Sequence, residues 1–247
     1  MSTLLGIFLG ALFLFIAFSS EGGAISTLLM PAPMLIVIGG TLAATLAGSR
    51  WRTFWEFPAY IKDVIVAKEV NTKELSRQIL TISAIAKREG MLRVEDVIEK
   101  TENSFLRKLL MMAVDGAEKE TYLEIANSDL DLIAEKQDEK VDLFQRMGGF
   151  SPTMGIIGTV MGLINTLASA GDDPNVLIHR IAFAFIATLW GIAMANLVFL
   201  PIADKLKALH TNQMQANQMM VDGVYGIICG EIPRVLAARL NTESKDF

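Results

Sequence analysis

The chain has 247 residues, 52% of them hydrophobic, yet 20% are charged and the formal net charge is −5. A nucleic-acid binder shows a basic patch or stripe; here acids and bases nearly balance in the one charge-rich stretch, Arg50 to Arg146, so nucleic acid is excluded as a partner. The single cysteine, Cys229, excludes an internal disulfide, and its neighbours Ile227 and Ile228 predict an inert buried thiol.

Four apolar runs free of Asp and Glu organise the chain: Leu4–Phe18, Pro31–Ala47, Gly148–Ala170 and Ile181–Ile202. At a rise of about 1.5 Å per residue, about 20 residues cross a bilayer core of about 30 Å. The last two runs reach that length. Thr3, Ser19 and Ser20 extend the first, and Met30 and Gly48 extend the second. No Lys or Arg precedes Arg50, so the first run lacks the positive n-region of a signal peptide and reads as a retained transmembrane helix. The predicted fold is all-α, a polytopic membrane protein with four transmembrane helices and a large helical cytoplasmic domain between the second and third. Residues 1–48 hold helices 1 and 2, 49–147 the cytoplasmic domain, 148–203 helices 3 and 4, and 204–247 a cytoplasmic helical tail.

Orientation follows from Lys and Arg near the membrane ends of short loops. The loops Ser19–Met30 and Gly171–Leu177 carry none, whereas Arg50, Arg52 and Lys62 follow the second run and Lys205 and Lys207 follow the fourth. Both termini and the middle segment are therefore expected on the cytoplasmic side. Arg180 is the exception, able to pair with Asp172 or Asp173 or to snorkel to headgroups.

Between the runs the pattern is helical throughout. Trp51 and Trp55 sit where interfacial tryptophans belong. Asn71 or Thr72 caps a helix through Ala86, with Leu75, Ile79, Ile82 and Ile85 at helical spacing and a stop at Gly90. A short helix follows near Val94–Lys100. Asn103 or Ser104 caps another, carrying Leu106, Leu109, Leu110 and Ala113 and ending near Gly116. A long helix from about Glu118 leads into the third run through Gly148, Gly149 and Pro152. Asp204–Met220 reads as a polar helical extension, and Pro233 opens a last short helix.

The third and fourth runs carry the chemistry. Pro152, Gly155, Thr159, Gly162, Thr166 and Ser169 step by three and four, so they share one small, hydroxyl-bearing helix face. Met154, Ile156, Ile157, Val160, Leu163 and Leu167 fall opposite. Ala184, Thr188, Gly191 and Ala195 form a second small stripe, with Trp190 and Asn196 as polar handles. Small stripes let helices pack closely in membranes. They can equally line a polar seam around a transmembrane partner, with Thr159 and Thr188 supplying oxygens to a hard cation such as Na⁺. Membrane proton relays use Asp, Glu or His, and these runs hold none. If the chain conducts ions, another chain must supply the carboxylate. His179 and His210 lack metal-ligand spacing, and there is no phosphate-cradling loop and no nucleophile–His pair, so an enzyme is not expected.

At these residues the chain resembles the flagellar stator subunits of the MotA/PomA type, more closely the sodium type, almost end to end. The specific stretches are Pro31 to Gly40 (PAPMLIVIGG), Ser151 to Leu163 (SPTMGIIGTVMGL) and Ala195 to Leu206 (ANLVFLPIADKL), with Glu231 to Leu236 (EIPRVL) in the tail. The resemblance implies an inner-membrane homopentamer around a dimer of a MotB/PomB-like partner, which supplies one membrane Asp per chain. Transported Na⁺ or H⁺ would then drive torque on the rotor protein FliG, with membrane lipid the remaining contact and no cofactor. It further implies that Pro152 and Pro201 couple ion binding to conformational change, that Thr159 and Thr188 bear on sodium selectivity, and that Lys87, Arg88, Glu95 and Asp96 contact the rotor. Ala187 departs from it, standing where the sodium type can carry another threonine. An ExbB/TolQ-like energiser of envelope processes is the nearest alternative, disfavoured by the fourth run. A passive membrane scaffold is the third reading.

Overall fold

A computed structural model describes residues 2–66, 70–168 and 174–243. No strand occurs among them. Among the described residues four helices are long and apolar enough to cross a membrane.

The first span is α1 (Ser2–Ser20). The second is built from α2 (Ile25–Leu28), α3 (Pro31–Met34), a π-helical turn Leu35–Gly39 and α4 (Gly40–Ala47). Its buried Thr41 and Thr45 hydroxyls donate to the carbonyls of Val37 and Thr41 four residues back, at 2.6 and 2.7 Å. Such back-bonding removes the cost of a hydroxyl where no water is present. Two short helices follow, α5 (Trp51–Trp55) and α6 (Phe57–Val66).

Packing divides the chain into two compact units, 1–67 with 138–207, and 68–137 with 208–247. The boundaries predicted at 48 and 148 mark the ends of apolar runs. The first compact unit extends beyond them because Phe54, Tyr60 and Val64 bury against Val141, Phe144, Met147 and Phe199. The Tyr60 hydroxyl donates to Glu56 at 2.9 Å, and Lys140 lies 5.1 Å from the centre of the Tyr60 ring. Burial, with the Glu56 carboxylate second, pushes the Tyr60 phenol up to about 12. Hydrogen bonds from Arg52 and Tyr60 pull Glu56 below its ordinary value.

In the second unit the predicted caps are realised. Asn71 accepts from the N–H groups of Lys73 and Glu74 and opens α7 (Thr72–Glu89), which Gly90 ends at φ 91°. A 3₁₀ turn Met91–Val94 and α8 (Glu95–Ile98) follow. Asn103 accepts from Phe105 and Leu106 and opens α9 (Ser104–Val114).

Two helices carry both water-compatible and apolar sequence. α10 (Lys119–Ala168) runs 50 residues and keeps Pro152 in its interior. α11 (Pro174–Ala193), a π-helical turn Met194–Phe199 and α12 (Leu200–Ile228) follow one another without a break. The polar extension expected over Asp204–Met220 is thus part of the fourth helix and reaches Ile228. α13 (Pro233–Glu243) is the last helix among the described residues. The second unit's core joins Ile79, Ile82, Leu106, Leu109, Leu110, Tyr122, Met219, Met220 and Leu236. Cys229 is half-buried rather than buried, because it lies past the end of α12 where the chain turns at Gly230 (φ 69°).

Candidate functional site

The two small stripes meet each other. A Cβ added at Gly191 would lie 2.8 Å from the Ser151 carbonyl oxygen and 3.0 Å from the Gly155 Cα. One added at Gly155 would lie 2.9 Å from the Ala187 carbonyl oxygen, and one at Gly162 would meet Ala184. Helices approach this closely only where side chains are absent or minimal. Ala184 and Ala187 are buried in the same seam, and Ala195 is buried four residues beyond Gly191. Ser169 lies outside the described residues.

Polar groups in the seam are satisfied within it. The Thr159 and Thr188 hydroxyls hydrogen-bond each other. Thr159 also reaches the carbonyls of Gly155 and Ala184, each at 3.0 Å. Thr166 donates to Gly162 at 2.8 Å and Ser151 to the Gly191 carbonyl at 3.0 Å. Thr159 and Thr188 are half-buried, so their shared oxygens stand at the rim of the seam. Ser151 was absent from the predicted stripe, although its place four residues before Gly155 is the signal that finds it. Trp190 donates across to the Leu28 carbonyl at 2.7 Å, tying the fourth span to the first turn of the second. Asn196 is exposed and donates to its own helix at Ile192, 2.9 Å away. Of the face predicted opposite, Ile156, Ile157, Val160, Leu163 and Leu167 are exposed, whereas Met154 is half-buried, its side chain lying against Gly40 of the second span. Among the described residues no His, Cys, Asp and Glu side chains group as metal ligands.

Pro201 is the second residue of α12, which directly follows the π-helical turn. A proline has no N–H for the carbonyl four residues back. The chain remains helical through it because the preceding turn widens, with the Leu200 N–H reaching the Ala195 carbonyl. Pro152 sits inside α10 at the start of the seam, half-buried.

In the second unit, Lys87 and Arg88 occupy the last turn of α7 and Glu95 and Asp96 the first turn of α8, on either side of the Gly90 reversal. All four are exposed. Lys87 donates to the Gly230 carbonyl at 2.8 Å, and Asp96 pairs with Arg93 at 2.9 Å. Among the described residues Arg88 and Glu95 have no side-chain partner. Arg180 donates to the Asn165 carbonyl at 3.1 Å, while Asp172 and Asp173 lie outside the described residues.

A family model described as the MotA/TolQ/ExbB proton channel family matches residues 97–219, and one described as motility protein A N-terminal matches residues 4–90. Motility protein A of Bacillus subtilis (strain 168) is 30% identical over 97% of this chain and 88% of the relative. This chain belongs to the motility protein A family. Its four-span helical fold matches a chain of the solved C. jejuni MotAB structure, with a TM-score of 0.92 and 29% identity over 98% of this chain and 94% of that one. Chemotaxis protein PomA of Vibrio alginolyticus is 29% identical over 97% of this chain and 93% of the relative, a level that does not separate it from motility protein A. A motility protein A of this kind is an ion-channel component and not an enzyme. The channel-family match contains the whole Thr159–Thr188 seam and both prolines, whereas Glu95 and Asp96 fall between the two matched segments.

Proposed function

We propose that this chain is a flagellar stator subunit of the bacterial inner membrane that works with a MotB-type partner to turn ion flow into torque. The observation that carries this is the whole-chain likeness to the MotAB structure from C. jejuni and to the flagellar MotAB stator complex from Bacillus subtilis, TM-score 0.88 at 30% identity over 96% of this chain and 92% of that one. The acid-free third and fourth spans support a second chain as the source of the membrane carboxylate. Five copies around a partner dimer, both termini in the cytoplasm, and contact with FliG through Arg88 and Glu95, with Lys87 and Asp96 beside them, complete the reading.

Na⁺ is the favoured ion. The support is chemical: Thr159 and Thr188 place two hydroxyl oxygens side by side at half-buried positions, and hard cations take oxygen ligands. Pro152 stands at the start of the seam inside α10 and Pro201 just past the π-helical turn, and both would transmit the change when that hydroxyl pair opens. The test is motor speed in a stator-deleted motile strain carrying this chain and its own partner, with Na⁺ replaced by K⁺ at constant proton-motive force. Speed falling with Na⁺ is expected. Unchanged speed would make the stator proton-driven and return both threonines to packing, and no rotation in either medium would remove the stator reading.

A further inference from the structure

A niche of about 270 Å³ lies where the second span ends against α10, lined among others by Ser49, Arg50, Thr53, Glu139, Asp142 and Arg146. Its charges are two guanidinium groups and two carboxylates. Each Glu139 oxygen already accepts one hydrogen bond, from Arg50 and from the Thr53 hydroxyl at 3.3 Å. Arg146 uses one N–H on the Gly48 carbonyl. Among the described residues the remaining N–H groups of Arg50 and Arg146 have no acceptor. The Ser49 Oγ is buried with no hydrogen-bond partner. Asp142 is exposed and, among the described residues, has no cationic partner. The niche thus offers N–H and O–H donors beside one open carboxylate, at the end of a membrane span. The exposed rings of Trp51 and Trp55 stand next in sequence, the side chains that favour the headgroup region.

We propose that this niche binds the headgroup of a phosphatidylethanolamine. The phosphate would accept from Arg50, Arg146 and Ser49, and the primary ammonium would donate to Asp142. Charge selects this class of ligand. A purely anionic headgroup meets the Asp142 carboxylate, and a choline headgroup has no N–H to donate. Guanidinium–phosphate and ammonium–carboxylate bonds are the charge-assisted kind, stronger than neutral ones. The site rests on the four spans alone and not on the stator reading.

The experiment is native mass spectrometry of the full-length chain, purified in detergent and titrated with short-chain phosphatidylethanolamine, phosphatidylcholine or phosphatidylglycerol. Phosphatidylethanolamine is expected to bind about tenfold more tightly than phosphatidylcholine, the worth of one charge-assisted bond. Asp142→Asn should erase that preference while leaving phosphatidylglycerol binding intact or stronger, and Arg146→Gln should weaken all three. Both side chains are exposed, and unchanged melting of each variant shows that it folds. Equal binding of the three lipids, tightest binding of phosphatidylglycerol to the unsubstituted chain, or a phosphatidylethanolamine preference that survives both substitutions would overturn the proposal.

Discussion

The seam of the third and fourth spans and the core of the second unit solve the same packing problem by opposite means. In the seam, backbones touch at Gly155 and Gly191, the buried side chains are small, and the large apolar residues point out. No residue of the first span's apolar window is fully buried. In the second unit, Tyr122, Ile79, Ile82, Leu106, Leu109, Met219 and Leu236 are essentially inaccessible and the charges lie outside. The difference is one of solvent. Where lipid surrounds a helix, burying a leucine gains little, so close van der Waals approach and internal hydrogen bonds hold it. Where water surrounds it, apolar burial contributes about 25 cal/mol per Å² and large side chains dominate.

The largest expected effects break one side of this contrast at a time. Gly191→Leu puts a side chain into backbone atoms that cannot yield, the Ser151 carbonyl and the Gly155 Cα. Overpacking of this kind costs about 1–3 kcal/mol or more. Motility in a complemented stator-deleted strain should vanish, while Gly149→Ala, with open space around it, should swim normally. Equal swimming of the two variants would disprove the closed seam. In the other unit Leu109→Ala should cost about 2–5 kcal/mol through the cavity it leaves. Thermal melting of the full chain in detergent reads this loss, and a shift no larger than that of an exposed Leu92→Ala would contradict the core assignment.

A smaller effect sharpens the water-facing side. The Tyr122 hydroxyl donates to the Val221 carbonyl at 3.0 Å, and burial raises its phenol well above the ordinary value. A raised folded-state value means that the folded protein holds the proton more tightly. The stability gained is therefore complete below the unfolded value of about 10 and is lost as pH rises through the folded one. Melting temperature should fall on the alkaline side, and Tyr122→Phe should flatten that slope at the expense of about 1 kcal/mol for the hydrogen bond. An unchanged slope in the variant would assign the alkaline loss to other groups.

The seam's hydroxyls give a still smaller change in stability but a specific one in function. Thr188→Ala removes one partner of Thr159, which keeps the Gly155 and Ala184 carbonyls, so the cost should stay near or below about 1 kcal/mol. Motor speed should nonetheless lose its Na⁺ dependence, and a variant with native Na⁺ response would place Thr188 in packing alone. The smallest effects belong to the exposed charges. Such pairs contribute about 0–1 kcal/mol each, so Arg88→Glu or Glu95→Lys alone should reduce torque mildly and together more than additively. Lys87→Ala should instead lower the melting temperature slightly, since its ammonium holds the Gly230 carbonyl.

Much of this was legible in one dimension. The four spans are runs of apolar residues, and the caps Asn71 and Asn103 act on N–H groups two and three residues on, so local sequence specifies them. Even the small stripes are visible, because a helix turns every 3.6 residues whatever it packs against. What each stripe faces was not legible. Composition left open a seam between spans or a lining around a partner, and the pairing of Gly155 with Gly191 and of Thr159 with Thr188 joins residues 36 and 29 positions apart. The π-helical turn before Pro201 was equally silent in sequence, because a proline deletes a bond without stating how the helix will absorb the loss.

Sequence by itself determined the all-α class, the number of spans, the helix starts and the exclusion of a chain-borne membrane acid, since each depends on residue type and spacing of a few positions. Only the tertiary structure decided that the two stripes close on each other, that Lys87 is tied to Gly230 while Arg88 and Glu95 stay open, that Cys229 is half-buried, and that Arg50, Glu139, Asp142 and Arg146 gather around Ser49. Those are contacts between segments tens of residues apart, and the free energy that selects them comes from shape and solvent at the point of contact rather than from any local pattern in the chain.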